Sequence, residues 1–235
     1  MLRPIIALDG PAGAGKSTVG ARLAARLGWL FVDTGLFYRV LTHQALQKGI
    51  IPSDEAGLVD LAHGLQIRLV RRSSEGPADL GVLVDGLDVT PSLRAAAVEG
   101  SVSAVAALPG VRAALVGPQR SAVGEHAAVV AGRDIGTVIF PDAGLKIYLD
   151  ASPAERARRR GAQLAEQGAS VAAGQVLEEL ERRDRRDSTR ATAPLTAARD
   201  ALPLCTDGLS VDDVVARILD LWNARVGSAS GGDET

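Results

Sequence analysis

Eight residues near the amino end, Gly10-Pro11-Ala12-Gly13-Ala14-Gly15-Lys16-Ser17, constrain this chain more than any other feature. They match G-x-x-x-x-G-K-[ST] and stand between an apolar run, Pro4 to Leu8, and a segment of helical periodicity. A phosphate chain needs several main-chain N–H donors at close range. That requires missing side chains and unusual backbone angles, and glycine supplies both. A helix opening at Ser17 adds free N–H groups and the positive end of its dipole. Lys16 brings a mobile cation for the β and γ phosphates, and the Ser17 hydroxyl is the expected Mg2+ ligand. Gly10 to Ser17, with Thr18 behind them, therefore form a candidate ATP site. Such a loop is expected at the carboxyl end of a strand in a parallel sheet.

The rest of the pattern agrees with an α/β chain in which strands and helices alternate. Pro4 to Leu8 reads as a buried central strand. A helix over Ser17 to Leu27 follows, with Val19, Leu23 and Leu27 on one face and Gly28 as its cap. Further strands are expected at 29–32, 126–131, 145–149 and 201–205, and a further helix near 36–48. The last helix opens at Ser210 with Asp212 and Asp213 in its first turn. Ser152-Pro153-Ala154-Glu155 reads as a capping box that starts a helix to about Gln167. Between about 63 and 103 the pattern changes. Leu65 to Val70 and Leu80 to Val84 alternate like antiparallel strands around the turn-rich Ser73-Ser74-Glu75-Gly76-Pro77, and Thr90-Pro91 opens a helix. Residues 227–235 read as a disordered tail.

Composition narrows the function classes. The 235 residues carry a net charge of −2 and 3 % aromatics, which disfavours nucleic-acid binding. No apolar stretch approaches the roughly 20 residues of a membrane helix. One cysteine, Cys205, excludes an internal disulfide and fits a reducing cytoplasm. Small-molecule substrates and a cytoplasmic monomer are the expectation. All but three of the 26 basic side chains are arginine, so position says more than number. The tetrapeptide N-K-x-D of a guanine reader does not occur, and Asp54-Glu55-Ala56-Gly57 fits D-x-x-G only in a helical setting. A kinase needs a second anion site facing the first. Asp33-Thr34-Gly35-Leu36-Phe37-Tyr38-Arg39 and Gly132-Arg133-Asp134-Ile135-Gly136-Thr137 each leave a strand at the loop's edge of the sheet, and each brings one arginine.

The GPAGAGKST loop, DTGLFYR, GRDIGTVIFPDA, DASPAERARRR and RRDRRDSTRATAPL occur in this order over roughly residues 4 to 222. Together they resemble bacterial cytidylate kinase. The resemblance implies a P-loop NTPase fold with an adenylate-kinase-like five-stranded parallel core (1–62 and 104–226), a monophosphate-binding insert at 63–103 and a helical lid at 151–172. It implies transfer of the ATP γ-phosphoryl group to CMP or dCMP with Mg2+. Thr34, Arg112, Asp134 and Arg190 would surround the cytosine; Ser103, Arg183 and Asp187 would meet the ribose. Arg39 and Arg133, helped by Arg190, would hold the CMP phosphate, while Lys16, Arg133, Arg159 and Arg160 would act on the transferring group. Arg183, Asp187 and Arg190 are spaced for one helix face, as are Arg156, Arg159 and Arg160. Spacing alone favours a solvated surface, and the resemblance decides for the site.

One position departs from the resemblance. The related pattern reads D-G-R-D where this chain has Ala131-Gly132-Arg133-Asp134. An outer carboxylate for Mg2+ is then missing, and Asp33 is either its replacement through a water or a turn residue. Other readings remain: a monophosphate kinase preferring UMP or AMP, a shikimate-type kinase without the insert, or a P-loop regulatory or nucleic-acid-binding ATPase.

Overall fold

A computed structural model describes residues 3–71, 80–166, 168 and 171–230. The chain begins with β1 (Arg3–Asp9), whose Ile5 to Leu8 are wholly buried, and passes through the glycine loop into α1 (Lys16–Leu27), which ends at Gly28. β2 (Leu30–Asp33), α2 (Gly35–Gln47) and α3 (Glu55–Gly64) follow. Asp54 caps α3 by accepting the Gly57 N–H, which accounts for D-x-x-G at that place without a nucleotide.

Then come the short strands β3 (Ile67–Arg71), β4 (Leu80–Val84) and β5 (Leu87–Asp88), and a 3-10 turn over Thr90–Arg94. α4 (Ala96–Val105) and α5 (Pro109–Val123) lead to β6 (Ala128–Ala131) and a π turn over Ile135–Ile139. The chain continues through β7 (Ala143–Asp150), α6 (Pro153–Glu166), α7 (Ala173–Thr189) and β8 (Leu202–Cys205), and α8 (Val211–Ser230) is the last helix.

Five strands form one parallel sheet in the order β2-β6-β1-β7-β8, so the strand before the glycine loop is central. Alternate residues serve opposite faces. Ile5, Ala7, Val32 and Val130 pack with Phe37, Leu41, Leu58 and Leu115 of α2, α3 and α5. Ile6, Leu8, Phe31 and Val129 pack with Val19 and Leu23 of α1 and with Val214, Ile218 and Trp222 of α8. Both faces are covered, which is why these strands read as continuous apolar runs. The three short strands form a separate antiparallel sheet. Val82 and Val84 rest with Val89 and Leu93 against Val40 of α2, the helix that carries Arg39.

Three local readings need correction. Arg190 lies beyond α7, at φ −64 and ψ 144, so Arg183 and Asp187 share the helix and Arg190 does not. The α6 capping box is half made. The Glu155 N–H donates to the Ser152 hydroxyl at 3.3 Å, but the Ser152 N–H goes to Asp207 and the Glu155 carboxylate to Arg158 and Arg159. The box at Ser210 is closed by Asp213 in both directions. α8 runs four residues into the expected tail; residues 231–235 lie outside the described residues, as does the expected turn at 73–77.

Candidate active site

The glycine loop leaves β1 at its carboxyl end and bends where side chains cannot follow. Gly10 has φ 146, and a Cβ there would stand 1.9 Å from the Leu149 carbonyl oxygen. Gly15 enters α1 at φ 93. No acid stands in the first turn of α1, so its N–H groups face the loop without a resident carboxylate. Lys16 is buried and folds back over the loop, donating to the Gly10 and Pro11 carbonyls at 2.8 and 2.6 Å. Burial first, then the positive charge of Arg133 and Arg183, hold its ammonium well below the usual lysine range. Ser17 and Thr18 are exposed. The Ser17 hydroxyl donates to Asp33 at 2.6 Å, and the other Asp33 oxygen accepts the Gly35 N–H at 2.9 Å.

Asp33 pairs with Ala131 in the parallel register. The position that the resemblance marks as lacking its acid therefore has an acid as its neighbour one strand away. The donor set of hydroxyl and carboxylate oxygens suits a hard divalent cation.

Against this loop lies a dense arginine cluster built by the next strand ends. Thr34, at the start of α2, is buried and donates to the Ala131 carbonyl at 3.0 Å. Beyond β6, Arg133 donates through Nε to Asp187 at 3.0 Å, and Asp134 turns inward to a buried ion pair with Arg112 of α5 at 2.5 Å. Arg112 also donates to the Ala106 carbonyl at 3.0 Å and lies 5.3 Å over the Tyr38 ring. Burial raises the Tyr38 hydroxyl above its ordinary range. Asp187 stands 3.7 Å from Arg190, whose Nε donates to the Ala193 carbonyl at 2.5 Å.

Arg183 is pushed down to about 10 by burial and by the like charges of Arg133 and Arg39. Buried nitrogens of Arg112, Arg183 and Arg190 lack hydrogen-bond partners among the described residues. Unmatched donors of this kind are satisfied by ordered water or by an anionic or polar ligand.

Arg39 bonds the Leu93 carbonyl at 3.1 Å and Glu99 of α4 at 2.9 Å. Ser103, further along α4, accepts from Arg186 rather than from Arg183. Arg159 of α6 reaches the Thr206 hydroxyl and carbonyl at 2.9 and 2.8 Å, with its Nη1 3.7 Å from a Cβ position on Gly15. Arg160 donates to Gln163 at 2.8 Å and stands 3.7 Å from Glu99. Arg158 is exposed and bonds Glu155 alone among the described residues.

Two groups here, Asp9 and Glu99, escape a reading of local pattern; a third, Arg156, shares the spacing of Arg159 and Arg160 but is packed beneath the glycine loop. Asp9, at the end of β1, accepts the Ile135 and Gly136 N–H groups at 2.7 and 2.8 Å and so ties the turn after Asp134 to the root of the glycine loop. Burial outweighs those amides and raises its carboxyl to about 6. Its place at the carboxyl end of the central strand is the one signal that could have marked it. Arg156 is buried, donates to the Ala12 and Ala151 carbonyls and is ion-paired with Asp184 of α7. Ala12, Val176 and Leu180 pack together there, so α6 and α7 sit on the tip of the glycine loop.

A family model described as cytidylate kinase matches residues 6–224. A bifunctional pantoate ligase/cytidylate kinase from Synechococcus elongatus is 50 % identical over 225 residues, covering 95 % of this chain and 42 % of that protein. The chain thus spans about two-fifths of the length of that relative. A cytidylate kinase from Desulfitobacterium hafniense is 44 % identical over 221 residues, covering 94 % of this chain and 93 % of that one. In fold alone, the chain is similar to the crystal structure of an uncharacterised protein from Eubacterium ventriosum, with a TM-score of 0.50, 12 % identity, and coverage of 94 % and 99 %.

Proposed function

The chain belongs to the cytidylate kinase family, and from that premise we propose that it transfers the γ-phosphoryl group of ATP to CMP or dCMP, giving ADP and the diphosphate. The observation that carries this reading is the meeting of two anion sites. Main-chain amides and Lys16 form one; Arg39, Arg133, Arg183 and Arg190 form the other, close enough that Lys16 feels Arg133 and Arg183.

In the acceptor site, Arg39 and Arg133 hold the monophosphate, with Arg190 beside them. Thr34, Arg112 and Asp134 face the base, and the acceptor-only Asp134 carboxylate suits the exocyclic amine of cytosine. Ser103, Arg183 and Asp187 lie along the ribose. In the donor site, Gly10 to Thr18 wrap the ATP phosphates.

A monophosphate oxygen of the acceptor attacks the γ-phosphorus of ATP, and the bond to the bridging oxygen breaks as ADP leaves. The second pKa of a phosphate monoester is about 6, so the attacking oxygen is already ionised at neutral pH and no general base is required. The work of the chain is alignment and neutralisation of spreading charge by Lys16, Arg133, Arg159 and Arg160. Mg2+ would be held by the Ser17 hydroxyl with Asp33 behind it, supplying positive charge to the phosphate chain. The lid at 151–172 and the insert at 63–103 close over the substrates and exclude water. The same reading takes the protein as a cytoplasmic monomer acting on small molecules.

A coupled assay of ADP formation with CMP, dCMP, UMP, AMP or no acceptor tests it. Turnover is expected with CMP and dCMP far above the others. Equal ADP release without any acceptor would refute it in favour of an ATPase.

A further inference from the structure

Glu99 is the carboxylate on which three arginines from three separate elements converge. Arg39 of α2 donates to it at 2.9 Å, Arg160 of α6 stands 3.7 Å away, and the charge of Arg183 of α7 reaches it. The side chain is only 25 % exposed. Burial alone would raise its carboxyl, but the arginines win and hold it below the ordinary range. An acid in the first turn of a helix is stabilised by the helix dipole without any partner. Glu99 instead bonds the Arg39 guanidinium and stands near that of Arg160, two groups assigned above to the acceptor phosphate and the transferring group. Arg39 is otherwise bonded to the neutral Leu93 carbonyl, and Arg160 to the neutral Gln163 side chain.

We propose that Glu99 is a resident counter-anion that competes with the acceptor phosphate for Arg39 and Arg160, and thereby sets acceptor affinity and keeps Arg160 from the donor's terminal phosphate until the acceptor arrives. The second half rests on the kinase reading above; the first half requires only that an anion binds among these arginines. Two anions served by the same guanidinium groups repel each other, and each must displace the other from a half-buried site where charge is poorly screened. Removing the resident charge without changing its shape should therefore tighten binding of the incoming one. A carboxylate that merely positioned Arg39 would act in the opposite sense, because its loss would loosen the site.

The test is Glu99→Gln, with CMP and inorganic phosphate titrated calorimetrically and ATP hydrolysis followed without acceptor. Both ligands are expected to bind about five- to tenfold tighter than to the wild type. Acceptor-free hydrolysis is expected to rise by a similar factor. Equal or weaker binding in a variant of unchanged melting temperature overturns the proposal. Tighter binding with unchanged hydrolysis overturns the restraint on Arg160. Glu99→Asp keeps the charge but withdraws it by one methylene, and should fall between the two proteins. Weaker binding than wild type in that variant also overturns the idea. If the wild type phosphorylates no monophosphate, the kinase reading fails, while phosphate binding to Glu99→Gln still decides the role of Glu99 as a counter-anion.

Discussion

Asp9→Asn should remove most of the pH dependence of stability between pH 4 and pH 7.5, while leaving one buried main-chain N–H without an acceptor. The reason lies in the balance at that site. Asp9 is 4 % exposed, and burial raises its carboxyl from 3.8 to about 6 despite the bonds from Ile135 and Gly136. Below pH 3.8 both folded and unfolded chains carry the proton. Between 3.8 and about 6 the unfolded chain ionises first, so the folded state binds more protons and stability falls as pH rises. Above 6 both are ionised and the loss is complete, about 3 kcal/mol at 1.36 kcal/mol for each tenfold change in affinity for the proton. Asparagine cannot ionise and so escapes this loss at every pH, but its NH2 accepts nothing, and one of the Ile135 and Gly136 N–H groups, which bond separate Asp9 oxygens, is left unmatched at a cost of about 1–3 kcal/mol. Relative to wild type the variant should therefore gain about 3 kcal/mol between pH 4 and pH 7.5, or about 6–12 °C in melting temperature for a chain of this size. At pH 4 it should be the less stable protein. Thermal and urea unfolding at pH 4, 5.5 and 7.5 would measure this. A difference between the two proteins that is the same at pH 4 and pH 7.5 would refute the reasoning. It would mean that the Asp9 carboxyl binds its proton no more tightly in the folded chain than in the unfolded one.

Other substitutions separate the parts of the site. Lys16→Ala and Arg133→Ala should each lower kcat for CMP by about 100-fold or more in steady-state assays; near-normal turnover in both would contradict the two-site reading. Gly10→Ala forces a Cβ to within 1.9 Å of the Leu149 oxygen, so nucleotide binding measured by calorimetry should be lost or the chain should fail to fold. Asp134→Ala leaves Arg112, 4 % exposed, without its ion-pair partner, at a cost of about 3 kcal/mol in unfolding experiments, and should abolish the preference for CMP over UMP. Asp33→Asn should raise the Mg2+ concentration needed for half-maximal rate by about tenfold while leaving CMP binding without metal unchanged; an unaltered requirement would make Asp33 a turn residue only.

What could be read from the sequence depended on whether its cause was local. The core strands announced themselves because both faces of the sheet are covered, leaving Ile5 to Leu8 and Ala128 to Ala131 no polar positions. The glycine loop was legible because its backbone geometry excludes side chains. The end of α7 was missed for a different reason: the Thr189 hydroxyl bonds back to the Arg185 carbonyl, and the chain then turns through Ala193 at φ 49 toward Pro194. A hydroxyl at the last turn and a proline beyond it are stop signals, but the spacing of charges obscured them. The α6 box failed because Arg158 and Arg159 offer Glu155 charged donors within one turn, stronger partners than a main-chain N–H. Glu99 and Asp184 had no local signal at all, since their partners are set by the packing of distant elements.

The replacement at Ala131 shows how register carries information that motifs do not. Residues paired across a parallel ladder project to the same face, and Ala131 lies with Leu8, Ala14 and Val19 on the face that α1 covers. Asp33 is the register partner of Ala131 on β2, so its carboxylate leaves the sheet on that same side, and it is already bonded to Ser17 at the start of α1. An acid at 131 would stand one strand spacing, about 5 Å, from Asp33. On the proposed reading of the donor loop, the outer carboxylate for Mg2+ then comes from the neighbouring strand, where the Gly35 N–H holds one Asp33 oxygen and the Ser17 hydroxyl the other.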